Sequence, residues 1–256
     1  MELTVLGCWA PYPRAGGACS GYLIQDGDIN IMLDAGNGSL SRLMQVVDFR
    51  ELSAAVISHF HPDHYADLFA LRHAVAGAIR YKTRREPLPL YIPSEPAEVF
   101  QKLAGCTDAF QVLAVDSLPG KTAPGKENIK TLNLGSVKLE FLPTVHKVPC
   151  YAVGISGSSH FVYTGDTAFT EELVDFAGGV DLLLSEASGL DGDAEYLSGT
   201  HLTAREAGEL GRRAGAKKVI ITHFWPEYEL ADLLAQAEEG FNGKLSLARE
   251  GRTYRF

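Results

Sequence analysis

Three histidines and an aspartate fall within six consecutive residues, a density of metal-binding side chains that restricts which folds the chain can adopt. The segment runs from His59 to His64, reads H-x-H-x-D-H, and follows directly on an apolar run over residues 54–58. A short apolar run bounded by polar residues predicts a buried strand, so the cluster is expected on the loop after that strand. Imidazole nitrogens and carboxylate oxygens suit zinc and similar divalent ions. The alternative is a surface loop that is rich in histidine by chance, although the chain has only eight histidines.

The composition is that of an ordinary soluble protein. At 256 residues, with 46% hydrophobic and 21% charged residues, the chain can bury a sizeable core. Its net charge of -9 argues against binding to long polyanions or to anionic membranes. No apolar stretch approaches the roughly 20 residues of a membrane span, and the N-terminus lacks the pattern of a signal peptide. We therefore expect a cytoplasmic protein with no membrane contact and no DNA-binding module.

The cysteines and the overall pattern indicate a reduced protein with one domain. The four cysteines contain no C-x-x-C pair, which favours buried free thiols over disulfides. They are Cys8, Cys19, Cys106 and Cys150. No internal repeat or composition break divides the chain, so we expect a single domain over residues 1–256.

Hydrophobic periodicity predicts strands and helices in both halves of the chain. Strands are expected at residues 2–6, 21–25, 29–33, 54–58, 88–92, 112–113, 130–134, 137–142, 151–156, 160–163, 182–185, 219–222, 244–248 and 253–256, the last two as a pair. Helices are expected at residues 40–47, 65–79, 96–103, 171–177, 203–214 and 230–239, and a surface loop at 118–128. Thr203 and Glu206 form a predicted capping box at the start of one helix. This pattern favours two sheets packed face to face, with helices outside.

Further polar side chains follow predicted strands well beyond the histidine cluster. His146 follows the strand at 137–142, Asp166 follows the strand at 160–163, and His223 follows the strand at 219–222. Each residue alone is more often structural than functional. Together with the cluster they form an ordered set of donors that we expect at one edge of the sheets. Seven donors can hold two metal ions with Asp166 as the bridge.

The order of these motifs resembles that of the metallo-β-lactamase-fold hydrolases. The histidine cluster, then His146, Thr164-Gly-Asp166 and Thr222-His223, match that pattern over almost the whole chain. The resemblance implies a four-layer αββα sandwich, with two mixed β-sheets and helices on the outer faces. It also implies two divalent ions as cofactors, zinc or alternatively manganese. One ion would be bound by His59, His61 and His146, the other by Asp63, His64 and His223, and Asp166 would bridge them.

A second segment is similar to the ribonuclease Z branch of that superfamily. Residues 199–207 resemble its H-S-T-A-x-E-A segment, and residues 185–188 resemble its H-E-A-T motif. The resemblance implies that His201 protonates the leaving oxygen and that Glu186 orients His201. The alternative for His201 is a local hydrogen bond at the start of a helix.

The chain also departs from ribonuclease Z at several positions. Ser185 stands where that enzyme usually has histidine, and the Gly-Leu-Pro-Gly run after His64 is missing. A long Gly-Pro-rich insertion, which forms the tRNA-binding arm, is also missing. The metal chemistry therefore carries over more firmly than the tRNA substrate.

The expected activity is that of a binuclear phosphodiesterase acting on RNA ends or on small or cyclic nucleotides. Two ions about 3.5–4 Å apart lower the pKa of a shared water and generate hydroxide near neutral pH. Asp63 would take the proton of that water, and His201 would act as general acid. Hydrolysis of an ester, thioester, lactone or β-lactam on the same fold is the alternative, and a non-catalytic metal-binding protein is a third. By resemblance we expect a homodimer.

Two loops are expected to frame the pocket. Asp34 is positioned to accept a hydrogen bond from a ligand histidine and so fix its tautomer. The turn from Gly36 to Gly38 opens a helix, so it can contact phosphate, although a simple tight turn is equally consistent with it. Ser20 and the glycine-rich loop before it are candidates for the mouth of the pocket.

Overall fold

Two seven-stranded sheets form the centre of the computed structural model, which describes residues 1–121 and 128–256. The first sheet is antiparallel from β1 to β3 and parallel from β3 to β6. Its strands are β1 (Glu2–Gly7), β2 (Gly21–Asp26), β3 (Ile29–Ala35), β4 (Ala54–Val56), β5 (Leu88–Ile92) and β6 (Phe110–Ala114). The hairpin between β2 and β3 turns at Gly27, as the sequence predicts.

The second sheet repeats this mixed arrangement. It is antiparallel from β7 to β10 and parallel from β10 to β13. Its strands are β7 (Lys130–Leu134), β8 (Val137–Pro143), β9 (Tyr151–Ser156), β10 (His160–Tyr163), β11 (Leu182–Glu186), β12 (Val219–Thr222) and β13 (Ser246–Leu247). The last strand, β14 (Thr253–Arg255), returns to the first sheet and pairs with β1.

Helices cover the outer faces of both sheets. They are α1 (Ser39–Leu43), α2 (Pro62–Tyr65), α3 (Leu68–Arg80), α4 (Ala97–Ala104), α5 (Glu171–Phe176), α6 (Ala194–Leu197), α7 (Ala204–Ala214) and α8 (Leu230–Phe241). Buried side chains of α1, α3 and α4 pack with the first sheet, and those of α5, α7 and α8 pack with the second. The architecture is therefore the expected four-layer αββα sandwich. In the described part of the chain, no helix is long and apolar enough to cross a membrane.

Alternation along the strands builds the core between the sheets. Leu33 and Val56 join the cluster that includes Phe141 and Phe161 of the second sheet, whereas Met32 packs towards the helices on the other side. Side chains of a strand point to opposite faces in turn, so a sheet covered on both faces must be apolar on both. This explains the nearly continuous apolar runs in the sequence.

Three predictions about individual elements need correction or restriction. The predicted helix at 65–79 is two helices, and Asp63 and His64 lie in the short α2 rather than in a loop, because Pro62 is well placed at the first turn of a helix. The two C-terminal strands do not pair with each other, because each completes the edge of a different sheet. Residues 122–127 of the predicted loop at 118–128 lie outside the described residues.

Local predictions at the start of α7 and at the cysteines are confirmed. The Thr203 hydroxyl accepts a hydrogen bond from the Glu206 amide, and the Glu206 carboxylate accepts one from the Thr203 amide. This capping box fixes where α7 begins, directly after the segment that carries His201. All four cysteines are buried free thiols.

Close packing of α7 against α8 gives a prediction about stability. A Cβ atom on Gly208 would overlap the Ala237 carbonyl, whereas one on Gly77 in α3 would meet nothing within 4 Å. We expect Gly208→Ala to lower the free energy of unfolding by about 1–3 kcal/mol, because the backbone must move apart. Gly77→Ala should raise the free energy of unfolding by up to about 1 kcal/mol. Denaturant unfolding of the metal-free protein measures both changes, and equal effects of the two variants would contradict the packing described.

Candidate metal centre

The structure brings all seven predicted donors to one edge of the two sheets. Asp166 and His223 follow β10 and β12, and His146 follows β8; these three strands run in the same direction, so their C-terminal ends meet at that edge. The cluster from His59 to His64 follows β4 of the first sheet and faces them. Donors that are more than 150 residues apart in sequence thus surround one small volume.

The first group of donors consists of three imidazoles and one oxygen of Asp166. His61 Nδ1 lies 3.0 Å from His59 Nε2 and 3.1 Å from His146 Nε2. Asp166 Oδ2 lies 3.4 Å from His59 Nε2 and 3.9 Å from His146 Nε2. Ligands of a tetrahedral zinc ion are about 3.4 Å apart when each bond is about 2.0–2.1 Å long. The four atoms are spaced as such an ion requires.

The second group consists of Asp63, His64, His223 and the other oxygen of Asp166. His64 Nε2 and His223 Nε2 are 3.0 Å apart, and each lies 3.6 Å from Asp63 Oδ2. Asp166 Oδ1 lies 3.5 Å from His64 Nε2 and 3.3 Å from His223 Nε2. One carboxylate therefore faces both groups, with one oxygen towards each.

Asp166 itself is the strongest sign that cations belong here. Its side chain is 2% exposed, and Oδ1 has no hydrogen-bond partner in the described chain. Burial raises the pKa of this carboxyl, but the imidazoles of His223, His64 and His59 outweigh that effect and hold the pKa well below its usual value. A buried carboxylate with an unpaired oxygen is costly without a cation, so the donor set fits bound divalent metal.

Burial also favours the ligand form of the histidine at the centre of the first group. His59 is fully buried, and desolvation lowers the pKa of its imidazole well below the usual value. The neutral ring that results is the form that binds metal. Its Nδ1 lies 3.1 Å from the Ser58 hydroxyl, so Nε2 is left facing the other donors.

Asp34 supports the second group from behind, as the sequence predicts. Its backbone has a φ of 56°, and its buried carboxylate lies at the end of β3. Oδ1 accepts a hydrogen bond from the Ser58 amide at 2.7 Å. Oδ2 accepts from the Ser58 hydroxyl at 2.8 Å and from Tyr163 Oη at 2.9 Å, and it lies 2.8 Å from His64 Nδ1. The last contact places the His64 proton on Nδ1 and leaves Nε2 as a ligand atom.

Two other histidines are oriented in the same way. His146 Nδ1 lies 2.8 Å from the Thr200 carbonyl oxygen, which accepts its proton. His223 Nδ1 lies 2.8 Å from the hydroxyl of Ser188, and that hydroxyl donates in turn to Glu186 Oε2. The sequence prediction did not include Ser188, although it lies inside the segment that resembles the H-E-A-T motif.

Glu186 and His201 form a hydrogen-bonded pair beside the donors. Glu186 is fully buried and lies 3.1 Å from His201 Nδ1 through Oε2. Burial lowers the pKa of His201, but the carboxylates of Glu186 and Asp166 outweigh it and raise the pKa to about 9. His201 also lies within ligand distance of Asp166 and His223, but its Nδ1 proton is directed to Glu186.

The glycine-rich turn at residues 36–38 packs directly behind the cluster. A Cβ atom on Gly36 would overlap the Asp63 carbonyl oxygen, so only glycine permits this approach. The Gly36 amide donates to the Ser20 carbonyl, and the Ser39 amide donates to the Gly36 carbonyl. Phosphate contact by the turn stays a prediction. Ser20 is fully buried, so the expectation that it lines the mouth of the pocket is wrong.

The fold and the site agree with the family to which the chain belongs. Residues 29–224 match the model of the beta-lactamase superfamily domain, and the chain is a member of that superfamily with the metallo-β-lactamase fold. Within it, the chain belongs to the ribonuclease Z-like branch of metallo-hydrolases.

Individual relatives support this placement. A probable metallo-hydrolase of Bacillus subtilis, YhfI, is 34% identical over 98% of each chain, and its crystal structure superposes with a TM-score of 0.88 over 99% of this chain and 98% of that one. Ribonuclease Z of Myxococcus xanthus is 26% identical and covers 99% of this chain and 97% of its own length. The short form of human tRNase Z is 19% identical with a TM-score of 0.75 over 100% of this chain and 99% of that one, which shows a shared fold.

The support that Asp34 gives to His64 can be tested by Asp34→Asn. Asparagine tolerates the same left-handed backbone but offers only one acceptor oxygen, so its NH2 group must face at least one of the donors around Asp34. We expect metal affinity to fall about 10- to 100-fold, as measured by competition with a chromogenic chelator. Asp28→Asn, an identical change of charge in the exposed β2–β3 turn, is the control and should bind metal like the wild type.

Proposed function

We propose that the protein is a phosphodiesterase that uses two divalent metal ions, zinc or alternatively manganese. The hydrogen-bonded pair of Glu186 and His201 beside the seven donors is the observation that carries this proposal. A relative named ribonuclease Z, matched along nearly the whole chain, supports the same chemistry. The first ion would be held by His59, His61 and His146, the second by Asp63, His64 and His223, with Asp166 between them.

The chain's own residues divide the work of hydrolysis. When bound, the two ions lower the pKa of water and stabilise the negative charge that develops on the phosphoryl group. Asp63 is 7% exposed, and the imidazoles of His64 and His223 lower the pKa of its carboxyl despite burial. We assign it the role of accepting the proton of the attacking water, because it is the donor carboxylate nearest the surface.

His201 is assigned to the leaving group. A cleaved phosphodiester releases an alkoxide, which must gain a proton, and a protonated imidazole held beside the site can supply it. The Glu186 carboxylate accepts from Nδ1, so Nε2 is the atom that can give a proton to the substrate. Glu186 also accepts a hydrogen bond from the Thr167 amide at 2.6 Å, which fixes the carboxylate itself. Glu186 therefore positions His201 without touching the substrate.

The remaining expectations from sequence belong to the same proposal. We propose one domain over residues 1–256, supported by a single buried cluster that spans both sheets. We also propose a cytoplasmic homodimer whose substrate is a nucleotide or an RNA end. The resemblance to the ribonuclease Z branch supports the last two statements.

A comparison of substrate classes tests the proposed reaction. We expect the zinc- or manganese-loaded protein to hydrolyse bis-p-nitrophenyl phosphate, and to act at least tenfold less efficiently on a lactone and a thioester. Initial rates at equal substrate concentration measure the preference. Activity on the lactone or thioester alone would overturn the proposal, and a metal-loaded protein inactive on all three would favour a non-catalytic role.

Two substitutions separate metal binding from proton transfer. We expect His201→Ala to retain both ions but to cleave a dinucleotide, which has a poor leaving group, about 10²–10⁴-fold more slowly. Its loss on bis-p-nitrophenyl phosphate should be smaller, because p-nitrophenolate leaves without a proton. Asp166→Ala should lose metal. Metal analysis and rates on both substrates measure these effects, with His73→Ala, on an exposed histidine of α3, as the control. Equal metal loss in the two variants would refute this division of roles.

A further inference from the structure

Exposed apolar side chains collect around the candidate metal centre. In residues 1–121 and 128–256, eight large hydrophobic side chains are exposed, and four of them lie on segments that carry or hold site residues. These four, which we call the rim residues, are Tyr12, Val145, Tyr196 and Trp225. Large apolar groups in contact with water are costly when they cluster, and such clusters commonly mark binding surfaces.

The chain path places the rim residues close to the donors. Val145 directly precedes His146, and Trp225 follows His223 by two residues, so their Cα atoms are at most about 7 Å from those of the histidines. Tyr196 precedes Leu197, whose carbonyl accepts the His201 amide at 3.0 Å. Each segment that supplies a histidine from the second sheet thus also presents an apolar side chain to solvent.

Trp225 is held rigidly although it is exposed. The glycine- and proline-rich loop after β1 is bound to its segment by hydrogen bonds from the Ala10 amide to the Phe224 carbonyl at 3.0 Å and from Arg14 Nη2 to the Tyr228 carbonyl at 2.7 Å. Tyr228 packs edge-on against the Trp225 ring at 5.0 Å between centroids. A ring fixed in this way loses little entropy when another ring stacks on it.

Tyr12 is fixed to the same segment. Its hydroxyl donates to Glu227 Oε1 at 2.7 Å, and its ring remains 44% exposed. Core packing does not need the exposed ring of Trp225, because the neighbouring Phe224 is fully buried and packs against Trp9 at 6.0 Å. Tyr12 and Trp225 are therefore available to a ligand.

The charges near this rim favour recognition by stacking. Arg14 is committed to two backbone carbonyls, and Glu227 and Asp193 accept from Tyr12 and Tyr228. Negative groups in this position do not attract a long polyanion, whereas a flat, neutral ring can approach an aromatic surface without charge repulsion. A nucleobase carried by a phosphodiester has that chemistry.

We propose that Trp225, supported by Tyr12, stacks on the nucleobase of a nucleoside attached to the scissile phosphodiester. This assignment rests on the proposed function and adds a specificity-determining surface to it. The stack would act on binding of the nucleoside and leave the chemistry at the phosphorus atom unchanged. Substrates that carry a base are then preferred over those that carry a simple alkyl group.

Two substrates with the same leaving group test the proposal. Thymidine 5′-(p-nitrophenyl phosphate) carries a base, and methyl p-nitrophenyl phosphate does not. We expect Trp225→Ala to lower kcat/KM about 10- to 100-fold for the thymidine substrate, mainly through KM, as expected for one lost base–aromatic stack. Activity on the methyl substrate should stay within about twofold, and Trp225→Phe should restore most of the loss. Tyr81→Ala, an exposed aromatic ring at the end of α3, is the matched control.

Several outcomes would overturn the assignment. Equal losses on both substrates, or the same selective loss in Tyr81→Ala, would show that Trp225 does not recognise the base. A change of oligomeric state in Trp225→Ala, measured by analytical ultracentrifugation, would make this surface a subunit contact instead.

A binding experiment separates this proposal from the proposed reaction. If the wild type hydrolyses neither substrate, the proposed function fails, and calorimetric titration with thymidine 5′-monophosphate and ribose 5-phosphate then tests the rim alone. Binding of the nucleotide but not of the sugar phosphate, lost in Trp225→Ala, would support the stack. Equal binding of both ligands, or no binding of the nucleotide, would overturn it.

Discussion

Burial of the Asp166 carboxylate is the constraint on which the rest of the site depends. Removing an ionised carboxylate from water costs several kcal/mol unless opposite charge or hydrogen bonds replace the water. One oxygen of Asp166 has no such partner among the described residues, and the imidazoles of both donor groups face its two oxygens. The arrangement is stable only with cations, so the fold and the metal chemistry depend on each other. Asp34 and Ser188, which orient imidazoles from outside, then keep those ligand atoms directed at Asp166.

Much of this could be predicted from sequence, because polar residues directly after apolar strands must lie at a sheet edge. His146, Asp166 and His223 were found in that way, and the structure brings them together with the cluster at residues 59–64. Ser188 was missed, since a lone serine has no distinctive pattern and its role depends on three neighbours that only folding assembles. The pairing of the C-terminal strands was mispredicted for a related reason. Local sequence indicates a strand but does not say which of two sheet edges will accept it.

The same contrast separates reaction from substrate. Metal ligands need particular donor atoms, and their identities can be seen in the chain. Recognition of a substrate depends on which apolar side chains remain uncovered after folding, as with Tyr12 and Trp225, and no periodicity reveals that. The chain has no long insertion like the arm of ribonuclease Z, so rigid aromatic side chains near the metal centre are its plausible means of holding a substrate.

The divided C-terminal segment has a consequence for how the protein avoids self-association. β13 covers the edge of the second sheet beside β12, and β14 covers the edge of the first beside β1, with about five residues between them. Unpaired strand edges recruit strands from other molecules. A single short segment therefore closes two such edges at once, and proteolytic loss of it would open both sheets to intermolecular pairing in one event.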